Sequence, residues 1–174
     1  FVIPANGELE ISVLDALVDA IVPGEAAILG MGAWDTSLPL VTRYRGRVHG
    51  WLTVGEPNLY EIPVATQRQW YADVKQADPG ACVYANYYMA PWGPPHPECV
   101  DTTPGLSWDS VMVDYYPLHW GESDHDAASK LGSVIVATLR IFGTGARILP
   151  ILQAAWNSQN IPGALRPISA SEMV

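Results

Sequence analysis

Basic residues are scarce in this chain of 174 residues, where nine Lys and Arg stand against eighteen Asp and Glu, a formal charge of −9. The arginines fall in short groups such as "RYRGR" (Arg43 to Arg47) and not along one face, so the electrostatic footprint of a nucleic-acid partner is missing. Long apolar runs are missing too. None approaches the roughly 18 residues that a bilayer span needs, and the opening residues do not pair a charged segment with an apolar one, so no membrane partner is expected. Cysteine is limited to Cys82 and Cys99, without the clustered spacing of a zinc site, and His96, His119 and His125 are scattered; no metal or cofactor is called for. Whether the two cysteines form a disulfide stays open, since Cys82 sits in a strand-like stretch and Cys99 in a proline-rich loop. No GxGxxG or Walker-type glycine loop follows any strand-like stretch, which removes the usual nucleotide chemistry of an open α/β sheet.

Apolar residues make up 49% of the chain and charged residues 16%, the balance of one globular domain, here spanning residues 1–174. Leu14, Leu17, Val18 and Ile21 recur at helical spacing before Pro23-Gly24, which predicts a first helix. Short continuous apolar stretches follow at 26–34 ("AAILGMGAW") and 48–54 ("VHGWLTV"), as in strands covered on both faces. A helix over 66–77 is stopped by Asp78-Pro79-Gly80, and further strands are predicted over 81–88, 110–117 and 147–153. Leu131, Val134, Ile135, Thr138 and Leu139 mark a helix ended by Gly143 and Gly145. The proline-rich segment from Met89 to Gly105 has no periodicity and reads as a long ordered loop. Strands alternating with helices imply right-handed βαβ crossovers, an α/β fold with a parallel sheet. The sheet is expected either to be doubly wound or to form part or all of a (β/α)8 barrel, and acidic and aromatic strand exits favour the barrel.

In such a barrel the strand C-terminal ends build the active face. The predicted exits carry Trp34-Asp35, Glu56-Pro57, Asn86-Tyr87-Tyr88, Asp114-Tyr115-Tyr116-Pro117 and Gln153-Ala154-Ala155-Trp156. Sugars are bound by such sets, since apolar ring faces stack on aromatics while carboxylates and amides hold hydroxyls, and one carboxyl can protonate a glycosidic oxygen. Glu56 and Asp114 are thus candidate catalytic residues. Trp34, Asp35, Asn86, Tyr88, Trp92, Tyr115, Trp120, Gln153 and Trp156 are candidate substrate-binding residues. Each also has a plainer alternative: Glu56 as a helix cap or a partner of the "RYRGR" arginines, Asp114 as a satisfied buried carboxylate, the loop tryptophans as pins for their loops. Strand periodicity lets only about half of Tyr87, Tyr88, Tyr115 and Tyr116 face a ligand.

The segments "GWLTVGEP", "VKQADPG", "VYANYY", "DSVMVDYYP", "ILPILQAAW" and "RPISASEM" together resemble the second half of a glycoside hydrolase-type (β/α)8 barrel, over residues 12–174. The resemblance implies a carbohydrate ligand, an extracellular or secreted setting, and Glu56 at the position of the general acid/base. It also implies a nucleophilic glutamate where this chain has Gln153, an amide that cannot attack an anomeric carbon as a carboxylate does. The second group would then be Asp114, Glu122 or Asp35, or an activated water, or the protein binds sugar without cleaving it, as a recognition or structural component of an extracellular or virion assembly. Five strands fall short of eight, and Ser169-Ala170-Ser171-Glu172 is a capping box with no helix after it. The expectation is a part of a larger barrel, or a subunit whose edges another chain covers.

Overall fold

The computed structural model describes residues 11–21, 28–30, 34–90, 93–115 and 124–152, with side chains left out at 34–37, 115, 124–129 and 150–152. Its elements in chain order are α1 (Ile11–Asp19), β1 (Ile28–Gly30), α2 (Trp34–Arg43), β2 (Gly50–Gly55), α3 (Val64–Ala77), β3 (Cys82–Tyr88), a 3₁₀ turn (Pro97–Cys99), β4 (Ser110–Tyr115), α4 (Asp124–Phe142) and β5 (Ile148–Leu152). The five strands form one sheet in the order β1-β2-β3-β4-β5, and every neighbouring pair is parallel. The expected α/β fold of βα units is what forms. Parallel neighbours need a crossover, and α2, α3 and α4 supply those between β1 and β2, β2 and β3, and β4 and β5.

Strand alternation sorts the side chains onto the two sheet faces. Trp51, Val83 and Leu29 turn to one cluster with Leu14 and Val18 of α1, Leu40 and Val41 of α2, and Val74 of α3. Further along the sheet Ala85, Tyr87, Val111 and Val113 pack with Trp108, Val134 and Phe142. Of the residues predicted to turn inward on the first helix, Leu14 and Val18 are buried but Leu17 is exposed. On α4 Val134 and Thr138 are buried while Ile135 is exposed, because the sheet meets one narrow stripe of that helix. Two of the three "RYRGR" arginines are spent on α1: Arg43 grips Asp15 through two nitrogens at 2.9 and 2.6 Å, and Arg47 pairs with Asp19. Among the described residues no helix is long and apolar enough to cross a membrane.

The first strand is described from Ile28 to Gly30, and Trp34 and Asp35, expected at a strand exit, instead open α2. The sequence hid this helix because Pro39 sits inside it, where a proline removes a hydrogen bond and crowds the preceding turn. Burial of Leu40 and Val41 and of Tyr44 just beyond offsets that cost. The open disulfide question also resolves: both cysteines are free thiols, with Cys82 starting β3 and Cys99 ending the 3₁₀ turn in the loop beyond the strand's other end.

Candidate functional site

Glu56 leaves β2 through a left-handed backbone conformation, φ 52°. Few residues without glycine's freedom hold that conformation, and where they do the surroundings enforce it. Here its N–H donates to the main-chain oxygen of Asn86 at 2.6 Å, and its own carbonyl accepts from Leu59 and Tyr60 at 2.8 and 3.2 Å. Asn58, wholly buried, then clamps the turn to the end of β3. Its Oδ1 accepts from Tyr88 N–H at 3.1 Å and its Nδ2 donates to Tyr88 O at 2.8 Å, an imitation of strand pairing made by one side chain. Pro57 is buried, and the Glu-Pro-Asn turn is therefore rigid for reasons in its own sequence.

Three adjacent strand ends bring three polar side chains together. The register sets Gly55 beside Asn86, and Tyr88 beside Asp114, so Glu56, Asn86 and Asp114 meet at the C-terminal end of the sheet. Asn86 Nδ2 donates to Asp114 Oδ2 at 2.5 Å. The Glu56 carboxyl lies near enough to Asp114 to feel its charge and a hydrogen bond to it. Burial, then the charge of Asp114 and that hydrogen bond, hold the Glu56 carboxyl above its ordinary 4.5. Asp114 and Asn86 are buried and Glu56 half-buried, so Glu56 is the member of the group nearest water. Asn86 Oδ1 has no hydrogen-bond partner among the described residues.

The plainer roles for Glu56 are thereby displaced. It does not cap α3, whose N-cap is Pro63, and two of the three arginines weighed as its partners, Arg43 and Arg47, pair with Asp15 and Asp19. Among the aromatics Tyr87 is fully buried against Phe142, while Tyr88 is half-buried on the face it shares with Asn86. Trp34, Asp35 and Tyr115 have described backbones only, and Trp92, Trp120, Gln153 and Trp156 lie outside the described residues. Among the described residues no cluster of His, Cys, Asp and Glu has the arrangement to hold a metal ion.

No protein-family model matches the chain, and no curated protein matches it. Among solved structures, one described as "PhdJ bound to substrate intermediate" is similar over 85% of this chain at 18% identity, with a TM-score of 0.37. The chain spans 56% of that protein's length, and a likeness so slight lends neither fold nor function to it.

A second polar centre, which the sequence did not announce, fixes the floor beside the site. Asp101 is buried; it accepts from Arg68 Nε at 2.8 Å, from Ser107 Oγ at 2.5 Å and from Thr103 N–H at 3.1 Å. Burial pushes its carboxyl up, but the Arg68 and Ser107 hydrogen bonds outweigh this and leave it below the usual carboxylate range. Its main-chain oxygen accepts from Trp108 Nε1 at 2.8 Å. Next to it the buried Gln67 donates to Ile62 O and Cys99 O at 2.8 and 2.7 Å and accepts from Tyr87 Oη at 2.8 Å. These contacts tie the loops after β2 and β3 to one helix. Asn58, Gln67 and Asp101 escape a reading by residue type because their partners are backbone groups and side chains far along the chain. The one available signal was a polar residue on the inward stripe of α3, at Gln67.

Proposed function

We propose that the chain is a carbohydrate-active protein of glycoside hydrolase type in which Glu56 is the proton donor. The observation that carries this is the meeting of Glu56, Asn86 and Asp114 at the strand C-terminal ends, where burial, then the charge of Asp114, raise the Glu56 carboxyl and so favour its protonated form. In the step it would perform, the Glu56 proton passes to the glycosidic oxygen as the bond from that oxygen to the anomeric carbon breaks. The alcohol leaves neutral and Glu56 is left as a carboxylate. Asp114 fits a supporting part better than that of nucleophile. Paired carboxyls that work on opposite sides of a sugar stand about 5 Å apart or more, whereas these two touch. The attacking group would then be water or a residue outside the described set. Described polar and aromatic neighbours on the same end, Asn86 and Tyr88, suit hydroxyl and ring contacts.

The same contact favours a second role, binding without cleavage, because it leaves Asp114 beside the acid and not across from it. One experiment separates them. Aryl glycosides and unactivated oligosaccharides are offered to the chain and to Glu56→Gln, with release of aryl alcohol or reducing ends followed alongside calorimetric binding. A proton donor gives a loss of about 10²–10⁴-fold in Glu56→Gln on unactivated substrates, a smaller loss on aryl glycosides whose leaving groups need little protonation, and nearly unchanged binding. Turnover in Glu56→Gln at the unmodified rate rejects catalysis by Glu56. Binding of oligosaccharide with no turnover in either form supports recognition, and the absence of both rejects a carbohydrate role.

A further inference from the structure

We infer that Tyr60 is a specificity-determining residue of this site, the platform on which the departing sugar ring stacks as Glu56 gives up its proton. The inference rests on Glu56 being the proton donor and adds a place for the ring beyond it. Among the large apolar side chains that the described residues expose, Tyr60 is the most open, at 67%. Single exposed apolar groups are ordinary. This one is set apart by its place and by its backbone. Its N–H donates to the Glu56 carbonyl at 3.2 Å, so the chain returns at Tyr60 to within one hydrogen bond of the acid. Leu59, also exposed, donates to the same oxygen at 2.8 Å.

The turn that carries the ring does not give. Ile62 N–H closes it on Pro57 O at 2.8 Å, and Gln67 Nε2 holds Ile62 O at 2.8 Å. Asn58 Nδ2 reaches Pro95 O at 3.2 Å as well as Tyr88 O, and the Glu61 carboxyl lies 3.7 Å from His96 Nε2. Glu56 and Glu61, both left-handed at φ 52° and 53°, bracket the segment, and such backbone persists only where its surroundings hold it. An exposed tyrosine on a fixed turn loses little freedom when a ligand covers it, the condition under which contact area becomes affinity. Chemistry assigns the side. A glycosidic oxygen joins two rings, and the acid protonates it between them. The inner ring stands over the buried Asn86 and Asp114, while the outer ring leaves as the alcohol and must pass to solvent. Tyr60 is exposed where Glu56 beside it is half-buried, so the outer ring is the one it meets, with its flat apolar face toward the sugar and its hydroxyl toward water.

The test is calorimetric binding to the whole chain carrying Glu56→Gln, in which the ligand stays intact, with Tyr60→Ala, Tyr60→Phe and Tyr60→Trp added in turn. The probes are α- and β-linked gluco-, xylo-, manno- and galacto-oligosaccharides, from disaccharide to hexasaccharide, and their monosaccharides. Tyr60→Ala should weaken the best oligosaccharide on the order of 3–10-fold and its monosaccharide hardly at all, while Tyr60→Phe and Tyr60→Trp keep the affinity because the ring is what binds. Main-chain groups hold the turn, so these variants fold, as circular dichroism verifies. Equal oligosaccharide affinity in Tyr60→Ala overturns the inference and leaves Glu56 as proton donor standing. So does a loss in Tyr60→Phe as great as in Tyr60→Ala, or a loss as great for the monosaccharide. Binding of no probe by the chain that keeps Tyr60 overturns the platform and the carbohydrate reading together. Self-association that disappears in Tyr60→Ala, followed by sedimentation, gives the exposed turn to a second copy of the chain and overturns the platform alone.

Discussion

Glu56 costs stability at any pH that ionises it in the unfolded chain. Its folded-state carboxyl is held above 4.5 by burial and by Asp114, so as pH rises the unfolded chain releases that proton first. Whatever stability the protonated form contributes is complete below the unfolded value and is lost as pH climbs through the folded one. Glu56→Gln removes the titration while keeping a donor toward Asp114. It should therefore melt with the unmodified chain near pH 4 and above it at pH 7, as thermal melts at the two pH values would reveal; a lower melting temperature at pH 7 contradicts this account. At this scale Glu56, Asn86 and Asp114 were legible, because a polar residue closing an apolar strand has few structural uses. The hydrogen bond between the two carboxyls was not, since it depends on the stagger of three strands. Asp114 was weighed as a second catalytic group, and the structure sets it beside Glu56, where its charge raises the Glu56 carboxyl.

Elements made of one continuous periodic pattern were legible, and those held by remote polar contacts were not. The runs predicted over 48–54, 81–88 and 110–117 match the described strands Gly50–Gly55, Cys82–Tyr88 and Ser110–Tyr115 to within two residues at each end. Helix α2 did not declare itself, because Pro39 broke its pattern and tertiary burial overrode propensity. The proline-rich segment was legible as ordered, but the cause of its order lies in Asp101. Asp101→Ala removes the acceptor for Arg68, Ser107 and Thr103 and should destabilise the fold by about 3 kcal/mol, discounted for the half-exposed Arg68. Proteolytic nicking should concentrate between residues 89 and 107. Because the Asp101 carboxyl lies below the usual range, its contribution is present above the unfolded value and disappears as pH falls through the folded one. The difference between the two proteins in urea titrations should accordingly shrink in acid.

Over the whole molecule, five parallel strands in chain order follow from the alternation of buried strands with helices, and this large-scale feature was the most readable of all. What the sequence left undecided was the distance between the two cysteines, which depends on how far β3 carries the chain between them. Cys82 is half-exposed and hydrogen-bonds Ser110 Oγ at 3.7 Å. Cys99 is buried, and burial followed by the charges of Glu98 and Glu61 pushes its thiol up. Alkylation at pH 8 should label Cys82 well before Cys99 in the folded chain, and denaturation without reductant should release two thiols. Mass spectrometry of the modified peptides reads both; equal rates, or a missing pair of thiols, would contradict this arrangement.

Between Leu52 and Val54 the register of β2 against β3 shifts, so that Leu52 faces Tyr84 while Val54 already faces Ala85. Thr53 is the extra residue of this β-bulge, and its hydroxyl donates to Tyr84 O at 3.3 Å. Parity along the strand therefore changes midway: Trp51 and Val54, three apart, both lie on the helix-covered side, and Gly55 falls beside Asn86 on the other. The aim of Glu56 is thus set by a count of residues as well as by their kinds. A chain lacking Thr53 would keep each of the other pairings and the full complement of polar groups, yet enter the turn without the kink. Related sequences compared by residue identity alone would score such a chain as nearly unchanged, although its Glu56 would leave the sheet in a different direction.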